Sequence, residues 1–540
     1  MKGTARHPVV RKRGESGAIL LLGTLSMLFI IPMMGLSIDV GFLYAVKSKL
    51  QAAVDGAALA AARALVVGQN TSQQTASAQA NAVNWFYSNF PTGYFGTINT
   101  SMGTSNVQVF DDPNNIHLRN VTVQATTQVD TFFMKWLTFD RTSVGALGNA
   151  SRRDVVVMMV LDRSGSMGPA CANLISAAKT FNGQLAAGRD YVGLISFADN
   201  SVIQSSPTTN FQTVLGYTND AGSANGEIDT IKCNGSTGTA QALSLAHNEL
   251  IKMNLPGALN VILFETDGLP NTMTFNFWDS ANNTSAIANS SGCKDRNGNA
   301  KGNGGFNSQA NSRPWTAGYT TGTSGFMVGY NDVPPGTVGA IGSSDPAGAT
   351  YFALFDPWGT AVTNNNNSKK VNSTSAPGCA FTSNGNTVSD FAWVPDTDAF
   401  GNQLAPTNAY HTSVVATGGQ VNWTNGQTYH DAAGNAADNA AYRARTNQGQ
   451  PNATGIGQVA YFVIGLGGNG GVDHILLQRI ANDPNADLYN TPTNYNACAQ
   501  ETGCITYSSQ PQGTYYYALD RTKLVEAFQT LASQILRLSK

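Results

Sequence analysis

A single uninterrupted apolar run lies near the amino terminus of the chain. Residues 17–38 carry no charged side chain, and about 20 apolar residues are enough for a helix to cross a bilayer. In residues 39–65, apolar positions recur at steps of three and four residues, as on one face of a helix, and alanine is frequent. The pattern predicts a membrane-spanning helix over 17–38 that continues as a stalk helix over 39–65.

The pattern is weaker in residues 66–150. A polar stretch at 70–89 is partly helical in pattern, whereas 107–110 and 121–129 alternate like half-buried strands. A short apolar piece, 132–137, follows them, and we expect it to pack on these strands. We predict a small α+β module here and find no recognisable chemistry in it.

From residue 154 onward, apolar strands alternate with amphipathic helical stretches. Residues 155–161, 261–264 and 459–466 are nearly continuous apolar runs, which is typical of parallel strands covered on both faces. Such strands alternating with helices are typical of an α/β fold. We predict an α/β, doubly wound, Rossmann-like domain formed by residues 154–270 and 455–540.

Two further patterns belong to this domain. Residues 191–197 and 201–205 predict an antiparallel edge pair around Asp199 and Asn200. The end of the chain predicts a helix with one apolar stripe, formed by Leu524, Ala527, Phe528, Leu531, Ile535 and Leu538.

A long segment, residues 271–454, separates the two halves of the domain and far exceeds an ordinary connection. It is rich in Asn, Gly, Ser and Thr, yet it contains Trp278, Trp315, Trp358, Trp393 and Trp423. Disordered segments are poor in aromatic residues, so we expect a folded or partly folded insertion. Because it leaves the sheet next to Asp267, we expect it to flank that edge and to select the partner. The alternative is that it only shields the domain.

Composition and charge exclude some classes of partner. The 540 residues include 31 Lys and Arg against 33 Asp and Glu, so the formal net charge is −2. Such a chain has no basic field to attract nucleic acid. A mean hydropathy of −0.15 fits a soluble body with one membrane segment.

Basic residues upstream of the apolar run predict its orientation. They are Lys2, Arg6, Arg11, Lys12 and Arg13. Positive residues favour the cytoplasmic side, so we expect a cytoplasmic tail over 1–16 and a periplasmic or extracellular location for the bulk of the chain. A cleavable signal peptide is the alternative, but the run exceeds the usual ~7–15 residues and no clear Ala-x-Ala site follows it.

All six cysteines follow the apolar run, at positions 171, 233, 293, 379, 498 and 504. An even number in an oxidising compartment allows three disulfides, although six cysteines permit 15 connectivities. We favour the pairs Cys171–Cys233, Cys293–Cys379 and Cys498–Cys504. Buried free thiols are the alternative.

Oxygen-bearing side chains follow three of the predicted elements. Asp162-Arg163-Ser164-Gly165-Ser166 comes directly after the first apolar strand, Thr237 precedes an Ala/Leu-rich helical stretch, and Asp267 follows the second strand. The carboxyl ends of parallel strands meet at one edge of a doubly wound sheet, and carboxylate and hydroxyl oxygens suit Mg²⁺. The alternative is a set of helix caps and loop residues without metal.

At these residues the chain resembles a von Willebrand factor A domain. Asp162, Ser164, Ser166, Thr237 and Asp267 match the metal-ion-dependent adhesion site of that family. The resemblance implies that Asp162, Ser164 and Ser166 bind Mg²⁺ (Mn²⁺ or Ca²⁺ possible), that Thr237 joins in the ligand-bound state and that Asp267 accepts bonds from coordinated water. It also implies a protein partner that contributes an Asp or Glu carboxylate to the ion.

A second resemblance covers roughly the first 65 residues. Arg13-Gly-Glu-Ser-Gly17, Ser37-Ile-Asp-Val-Gly-Phe-Leu-Tyr44 and the Ala-rich stretch 50–62 resemble the amino-terminal module of TadG-like, Tad-type (Flp) pilus-assembly proteins. Type IV prepilins carry Glu at the fifth position after the cleaved Gly. Here Leu22 follows Gly17 at that distance and Ile19 follows Gly14, so we expect an anchored accessory protein, not a major filament subunit.

These features predict a membrane-anchored extracytoplasmic protein of Tad/Flp pilus assembly that binds a protein through Mg²⁺. Alternatives are a surface adhesin for host or matrix ligands, or a structural envelope protein with a vestigial metal site. We expect no enzyme, because the chain contains no His-Glu-x-x-His, Gly-x-Ser-x-Gly or Gly-x-x-x-x-Gly-Lys motif. We interpret His247 as a capped or solvent-facing residue.

Overall fold

The computed structural model describes most of the chain outside the predicted insertion. The described residues are 16–198, 201–220, 222–235, 237–279, 394–406, 409–417, 420–421, 426–448, 456–467, 471–484 and 510–539, with short strands between 284 and 387. The chain divides into two compact units. The amino-terminal unit comprises 1–65, 72–111 and 119–152, and the carboxy-terminal unit comprises 66–71, 112–118 and 153–540.

The amino-terminal unit packs two helices against a four-stranded sheet. Its elements are α1 (Ser16–Ala64), α2 (Thr71–Asn89), β1 (Ile98–Ser101), β2 (Val107–Asp112), β3 (Asn115–Asp130) and β4 (Arg141–Arg153). The sheet order is β1-β3-β2, with β4 also paired to β3. Its core joins the apolar face of α1 to α2 and the sheet, with Leu50, Val54, Ala82, Phe86 and Val123 all buried. The predicted stalk helix and α+β module therefore share one core.

The helix α1 is apolar and exposed over its first part. It is 49 residues long, and it is the one helix among the described residues that is long and apolar enough to cross a membrane. The side chains from Leu20 to Met34 are exposed. Burial begins near Asp39 and becomes regular from Val46 onward, where the helix meets the sheet.

The apolar piece at 132–137 does not pack on the strands as expected. Met134–Leu137 forms a short 3₁₀-helix, while Phe132 and Trp136 beside and within it are exposed. The segment is attached instead to α1 through Asp39, whose carboxylate accepts backbone hydrogen bonds from Phe132, Phe133 and Met134.

The carboxy-terminal unit is built on a six-stranded sheet. Its helices are α3 (Cys171–Asn182), α4 (Phe211–Leu215), α5 (Thr239–Met253), α6 (Gly426–Thr446), α7 (His474–Ala481) and α8 (Leu524–Leu538). Its sheet strands are β5 (Val155–Asp162), β6 (Tyr191–Phe197), β7 (Ser201–Thr208), β10 (Leu259–Thr266), β22 (Ala460–Leu466) and β23 (Thr514–Ala518). The other described strands are β8 (Tyr217–Asn219), β9 (Gly222–Ala224), β11 (Thr272–Asp279), β12 (Thr284–Ser285), β13 (Ile287–Ala288), β14 (Thr323–Gly329), β15 (Ala349–Phe355), β16 (Lys370–Ser373), β17 (Phe381–Ser383), β18 (Asn386–Thr387), β19 (Val394–Pro395), β20 (Ala416–Thr417) and β21 (Gln420–Val421).

The strand order β23-β22-β10-β5-β6-β7 confirms the predicted doubly wound α/β fold. All neighbours run parallel except the edge strand β7, which pairs antiparallel to β6 as expected. The chain proceeds from β5 to β6 on one side and later returns to β10 on the other. The carboxyl ends of β5 and β10 therefore border the crevice at which ligands bind in such sheets.

Helices cover both faces of the sheet. One face packs on α5, α6 and α7 around Ile262 and Phe264. The other packs on α3 and α8, where the Phe181 and Phe528 rings lie 6.2 Å apart. Of the predicted stripe on α8, Leu538 differs, because it is exposed and not buried.

The latter part of the predicted insertion contributes to this core. Phe400 and the α6 residues Ala440, Ala441 and Ala444 are buried in the same cluster as Phe264. Small alanine side chains let α6 approach α5 closely. Residues 394–448 thus include structural components of the domain as well as connections.

Candidate metal site at the carboxyl edge of the central sheet

The end of β5 presents Asp162 in a fixed orientation. Its side chain has no solvent exposure. The Ser164 backbone N–H donates to Asp162 Oδ1 at 2.7 Å, and the Thr266 hydroxyl donates to Oδ2 at 2.5 Å. Both carboxylate oxygens are therefore held, one by the loop after β5 and one by the neighbouring strand β10.

The end of β10 brings Asp267 to the two serines. Ser166 Oγ donates to Asp267 Oδ1 at 2.6 Å, and Ser164 Oγ lies 3.4 Å from the same oxygen. The two serine oxygens are 3.0 Å apart. Ser166 is exposed, whereas Ser164 and Asp267 are buried, so the cluster reaches the surface at Ser166.

Thr237 lies beside the same cluster. A Cβ placed on Gly268 would be 3.4 Å from Thr237 Oγ1 and 3.9 Å from Ser166 Oγ. The Thr237 backbone is fixed by Asn271, whose side-chain oxygen accepts from the Thr237 N–H at 2.7 Å. The structure therefore brings all five predicted side chains together.

Main-chain hydrogen bonds and a disulfide join the segment after β5 to the loop that carries Thr237. The Gly165 N–H donates to Gly235 O at 2.8 Å, and the Asn234 N–H donates to Arg163 O at 2.7 Å. The predicted bond between Cys171 and Cys233 is present and ties the start of α3 to the loop that carries Thr237. The other cysteines, 293, 379, 498 and 504, lie outside the described residues.

Three buried acids share this edge of the sheet. Burial raises the pKa of Asp162 to about 7, with a further contribution from the charge of Asp267. Burial also raises the pKa of Asp267. The pKa of Glu265 is raised well above its usual value by burial, and the charges of Asp162 and Asp267 add to the effect. The site as it stands disfavours the simultaneous ionisation of its acids.

The donor set fits a hard cation. Two carboxylates and three hydroxyls provide only oxygen atoms, which Mg²⁺ and Ca²⁺ prefer. Among the described residues, no group of three or more His, Cys, Asp or Glu side chains is able to hold a metal. A Zn²⁺ site of the usual nitrogen and sulfur type is therefore not formed there.

The residues that support the site were not predicted from the sequence. Thr266 fixes Asp162, Asn271 fixes Thr237, and Glu265 adds a third buried acid. The one available signal was the polar pair Glu265-Thr266 at the end of an otherwise apolar strand. His247 also differs from its interpretation, because it is buried on α5 with Nε2 3.0 Å from Asn447 Oδ1. Burial lowers the pKa of His247 to about 4.

Comparison with protein families gives two matches. Residues 157–269 match the von Willebrand factor type A domain, and residues 17–64 match the putative Flp pilus-assembly TadE/G-like family. The chain thus carries a Tad-type amino-terminal region and a von Willebrand factor A domain, which confirms both predicted resemblances. Comparison with curated proteins gave no match.

Several solved structures are weakly similar to this chain. The von Willebrand factor domain of the type V pili tip protein Mfa5 from Porphyromonas gingivalis is 17% identical, with a TM-score of 0.31, covering 72% of this chain and 98% of that one. The PilB minor pilin from Streptococcus sanguinis is 12% identical, with a TM-score of 0.29, covering 82% of this chain and 79% of that one.

The pilus adhesin SpaC from Lactobacillus rhamnosus GG is 12% identical to this chain, with a TM-score of 0.30. The similarity covers 80% of this chain but spans only 36% of the length of SpaC. Because the TM-scores are near 0.3, we infer nothing about the function of this chain from these three similarities.

Proposed function

We propose that this chain is a membrane-anchored extracytoplasmic protein of Tad/Flp pilus assembly that binds a protein partner through Mg²⁺. The observation that carries the proposal is the convergence of Asp162, Ser164, Ser166, Thr237 and Asp267 between β5 and β10. The Tad-type region at 17–64 supports the link to a pilus.

The five side chains would hold the cation, and their low total charge suits recognition of an acid. When bound, Mg²⁺ (or Mn²⁺ or Ca²⁺) supplies positive charge and an exchangeable position for the Asp or Glu carboxylate of a partner. The chain contributes two carboxylates, of which Asp162 is fixed on both oxygens. Asp162 would be the one charged direct ligand beside neutral hydroxyls, while Asp267 would accept bonds from coordinated water, so the direct ligands would leave part of the positive charge uncompensated.

The access to the site also supports this mode of recognition. Ser166 and Gly165 are exposed, while Asp162, Ser164 and Thr237 are buried. A partner carboxylate would therefore approach at the Ser166 side and meet a site that is dry behind it. Charge-assisted contacts are stronger where water is excluded.

A cation would stabilise the ionised forms of the buried acids at the site. Asp162 and Asp267 both have raised pKa values because they are buried together. Cation binding requires deprotonated carboxylates and therefore releases protons. We favour binding over catalysis, because no histidine lies among the described residues that form the site, and its third acid, Glu265, is buried within β10.

The anchor and its orientation are part of the proposal. The exposed apolar part of α1, together with the Tad-type region, is consistent with a single-pass membrane anchor. The basic residues before position 16 favour a cytoplasmic amino terminus. Protease added to intact spheroplasts should then digest the chain beyond Leu65, whereas protection of that region would contradict the orientation.

The proposed function is tested by isolating partners on the full-length chain in mild detergent. Capture is compared in Mg²⁺ and in EDTA for the wild type, for Asp162→Ala and for the control Asp220→Ala, which removes an exposed acid of the same unit. We expect pilus-assembly proteins to be retained in Mg²⁺ by the wild type and by the control, and to be lost in EDTA and in Asp162→Ala.

Other outcomes separate the alternatives. Capture that is insensitive to Mg²⁺ and to Asp162→Ala would contradict the metal-dependent function and favour a structural envelope role. Metal-dependent capture of host or matrix proteins without pilus components would favour a surface adhesin.

A further inference from the structure

Aromatic side chains are exposed together at one end of the amino-terminal unit. They come from the short turn at Tyr94–Gly96 and from residues 132–139. We call residues 132–139 the aromatic loop. The exposed fractions are 59% for Phe95, 59% for Phe132, 39% for Phe133, 83% for Trp136 and 57% for Phe139. Soluble surfaces rarely expose so many large apolar groups side by side.

Asp39 fixes the level of the aromatic loop along α1. Its carboxylate accepts backbone N–H bonds from Phe132 at 3.0 Å, Phe133 at 2.8 Å and Met134 at 2.6 Å. Asp39 is 1% exposed and is the first charged residue after the apolar run of α1. The loop therefore lies at the point where the apolar run ends.

Ring contacts place aromatic side chains about one helical turn to each side of Asp39 along α1. A Cβ placed on Gly35 would lie 2.5 Å from the Phe133 ring, so this ring rests on the helix backbone within the apolar run. On the other side, the Phe42 ring lies 5.6 Å from Phe132 and 5.9 Å from Phe95. From Gly35 to Phe42 the helix rises about 10 Å.

These positions match the dimensions of a bilayer. The uncharged run of α1 is about 33 Å long at 1.5 Å per residue, close to the ~30 Å of a hydrocarbon core. Asp39 would then lie at the edge of that core, and the aromatic loop would lie in the interfacial layer where tryptophan concentrates. The exposed Lys135, next to Trp136, is long enough to reach lipid phosphates.

Continuity with the anchor indicates which partner covers this surface. Exposed apolar side chains occur along α1 from Leu20 to Ile38, and the residues between them are small, polar or proline. In space, the aromatic loop lies at the end of this stretch. A separate protein partner would need a second apolar surface at the same level, whereas a bilayer provides one continuous apolar medium.

We propose that the aromatic loop inserts into the headgroup and upper acyl layer of the bilayer that α1 crosses, on the side towards which the rest of the chain continues. Its ligand is the lipid surface, and the loop fixes the depth and the tilt of the amino-terminal unit. The inference rests on the proposed anchoring by α1.

Trp136 is a reporter for this inference. The span of α1 contains no tryptophan, and the amino-terminal unit contains only Trp85 and Trp136. Trp85 lies against Gly56, about 25 Å along α1 beyond Asp39, and serves as the matched control. The full-length chain is placed in phosphatidylcholine vesicles whose acyl chains are brominated either near the headgroup or near the terminal methyl.

We expect lipid bromines near the headgroup to quench tryptophan fluorescence more than those near the methyl end. The quenching is taken as the absolute loss of intensity at equal protein concentration, because the chain contains five further tryptophans beyond the amino-terminal unit. Trp136→Phe should abolish this loss, and Trp85→Phe should leave it unchanged. The double variant Trp136→Phe/Phe139→Trp moves the reporter within the loop and should restore the quenching. Because the Trp136 and Phe139 side chains are exposed, the variants at these two positions should keep the wild-type melting temperature.

Two results would overturn the inference, and they differ in what else they affect. If the protein floats with the vesicles but quenching is the same in the wild type and Trp136→Phe, the loop does not contact lipid and the anchor is unaffected. If the protein does not float with the vesicles, the anchoring role of α1 and the inference both fail.

Discussion

Two buried carboxylates, one in each unit, have pKa values shifted in opposite directions. Burial raises the pKa of Asp39, but backbone hydrogen bonds from Met134, Phe132 and Phe133 outweigh it and leave the pKa below its usual value. Burial raises the pKa of Asp162 to about 7, and the charge of Asp267 adds to the effect in spite of bonds from Thr266 and Ser164.

The comparison shows that hydrogen-bond donors can outweigh burial at one carboxylate, as at Asp39, whereas burial remains the largest effect at the other, Asp162. Asp39 accepts three backbone N–H hydrogen bonds, which favour its ionised form and hold the loop to α1. Asp162 also accepts hydrogen bonds from Ser164 and Thr266, but burial, the largest effect, and the charge of Asp267 outweigh them and keep its pKa raised. One buried carboxylate is therefore held as an anion by its donors, and the other is kept partly protonated by burial beside a second acid.

The largest expected effect comes from removing the Asp39 carboxylate. Asp39→Ala leaves three backbone N–H groups without their acceptor, and an unsatisfied buried donor costs about 1–3 kcal/mol. We expect the free energy of unfolding of the amino-terminal unit to fall by about 3 kcal/mol. Urea unfolding of the full-length chain in detergent, followed by hydrogen exchange at residues 132–134, measures this loss.

The control for this experiment is Asp55→Ala, which removes an exposed acid of the same helix. Surface substitutions usually change stability by less than about 0.5 kcal/mol. Equal losses in the two variants would show that the three hydrogen bonds do not hold the loop.

The second effect is the response to Mg²⁺ at the other carboxylate. A ligand at about 100 times its dissociation constant stabilises the folded state by about 2.7 kcal/mol. We expect Mg²⁺ to raise the melting temperature of the wild type and of Asp220→Ala but not of Asp162→Ala. A preserved response in Asp162→Ala would contradict the proposed cation site.

The sequence was sufficient to predict the main strands of the central sheet and the convergence of five oxygen-bearing side chains in the carboxy-terminal unit. The reason is topological, because residues that follow parallel strands of one sheet must meet at one edge. The supporting bonds were not predictable in this way. Asn271 reaches Thr237 across 34 positions of sequence, and no local pattern encodes such a pair.

The aromatic loop and α6 show a different limit of sequence reasoning. An apolar pattern indicates that a segment avoids water, but it does not distinguish a protein core from another apolar medium. Residues 132–137 were therefore expected to pack on strands, whereas Trp136 is 83% exposed. Conversely, the small alanines of α6 lie in a polar-looking segment, yet Ala440 and Ala441 are buried against the core.

The pH dependence of stability should have opposite signs at the two carboxylates. The folded pKa of Asp162 is about 7, above its unfolded value of about 3.9. Between these values the folded state binds the proton and the unfolded state does not, so stability decreases as pH rises through this window. Asp39 has a lowered pKa, so its contribution is present above the unfolded value and is lost as pH falls.

Difference measurements isolate these two contributions. In metal-free buffer, we expect Asp162→Asn to gain about 2–3 kcal/mol relative to the wild type between about pH 5 and pH 8. Asp39→Asn should instead show its loss fully at neutral pH and less of it below about pH 4. Parallel pH profiles for the two variants would contradict the contrast between the sites.

The smallest expected effect on stability separates packing from cation binding at the crevice. A Cβ on Gly268 would lie at ordinary contact distance, 3.4 Å from Thr237 Oγ1, so Gly268→Ala should change the free energy of unfolding by less than about 0.5 kcal/mol. The added methyl group nevertheless occupies the space beside the Thr237 and Ser166 oxygens, where the cation would be held. We therefore expect an affinity for Mg²⁺ that is several-fold weaker, measured by titration calorimetry.

The matched change Gly35→Ala places its Cβ 2.5 Å from the Phe133 ring, so it should displace the aromatic loop and leave Mg²⁺ affinity unchanged. An unaltered Mg²⁺ affinity in Gly268→Ala would mean that the cation, if bound, lies away from Thr237.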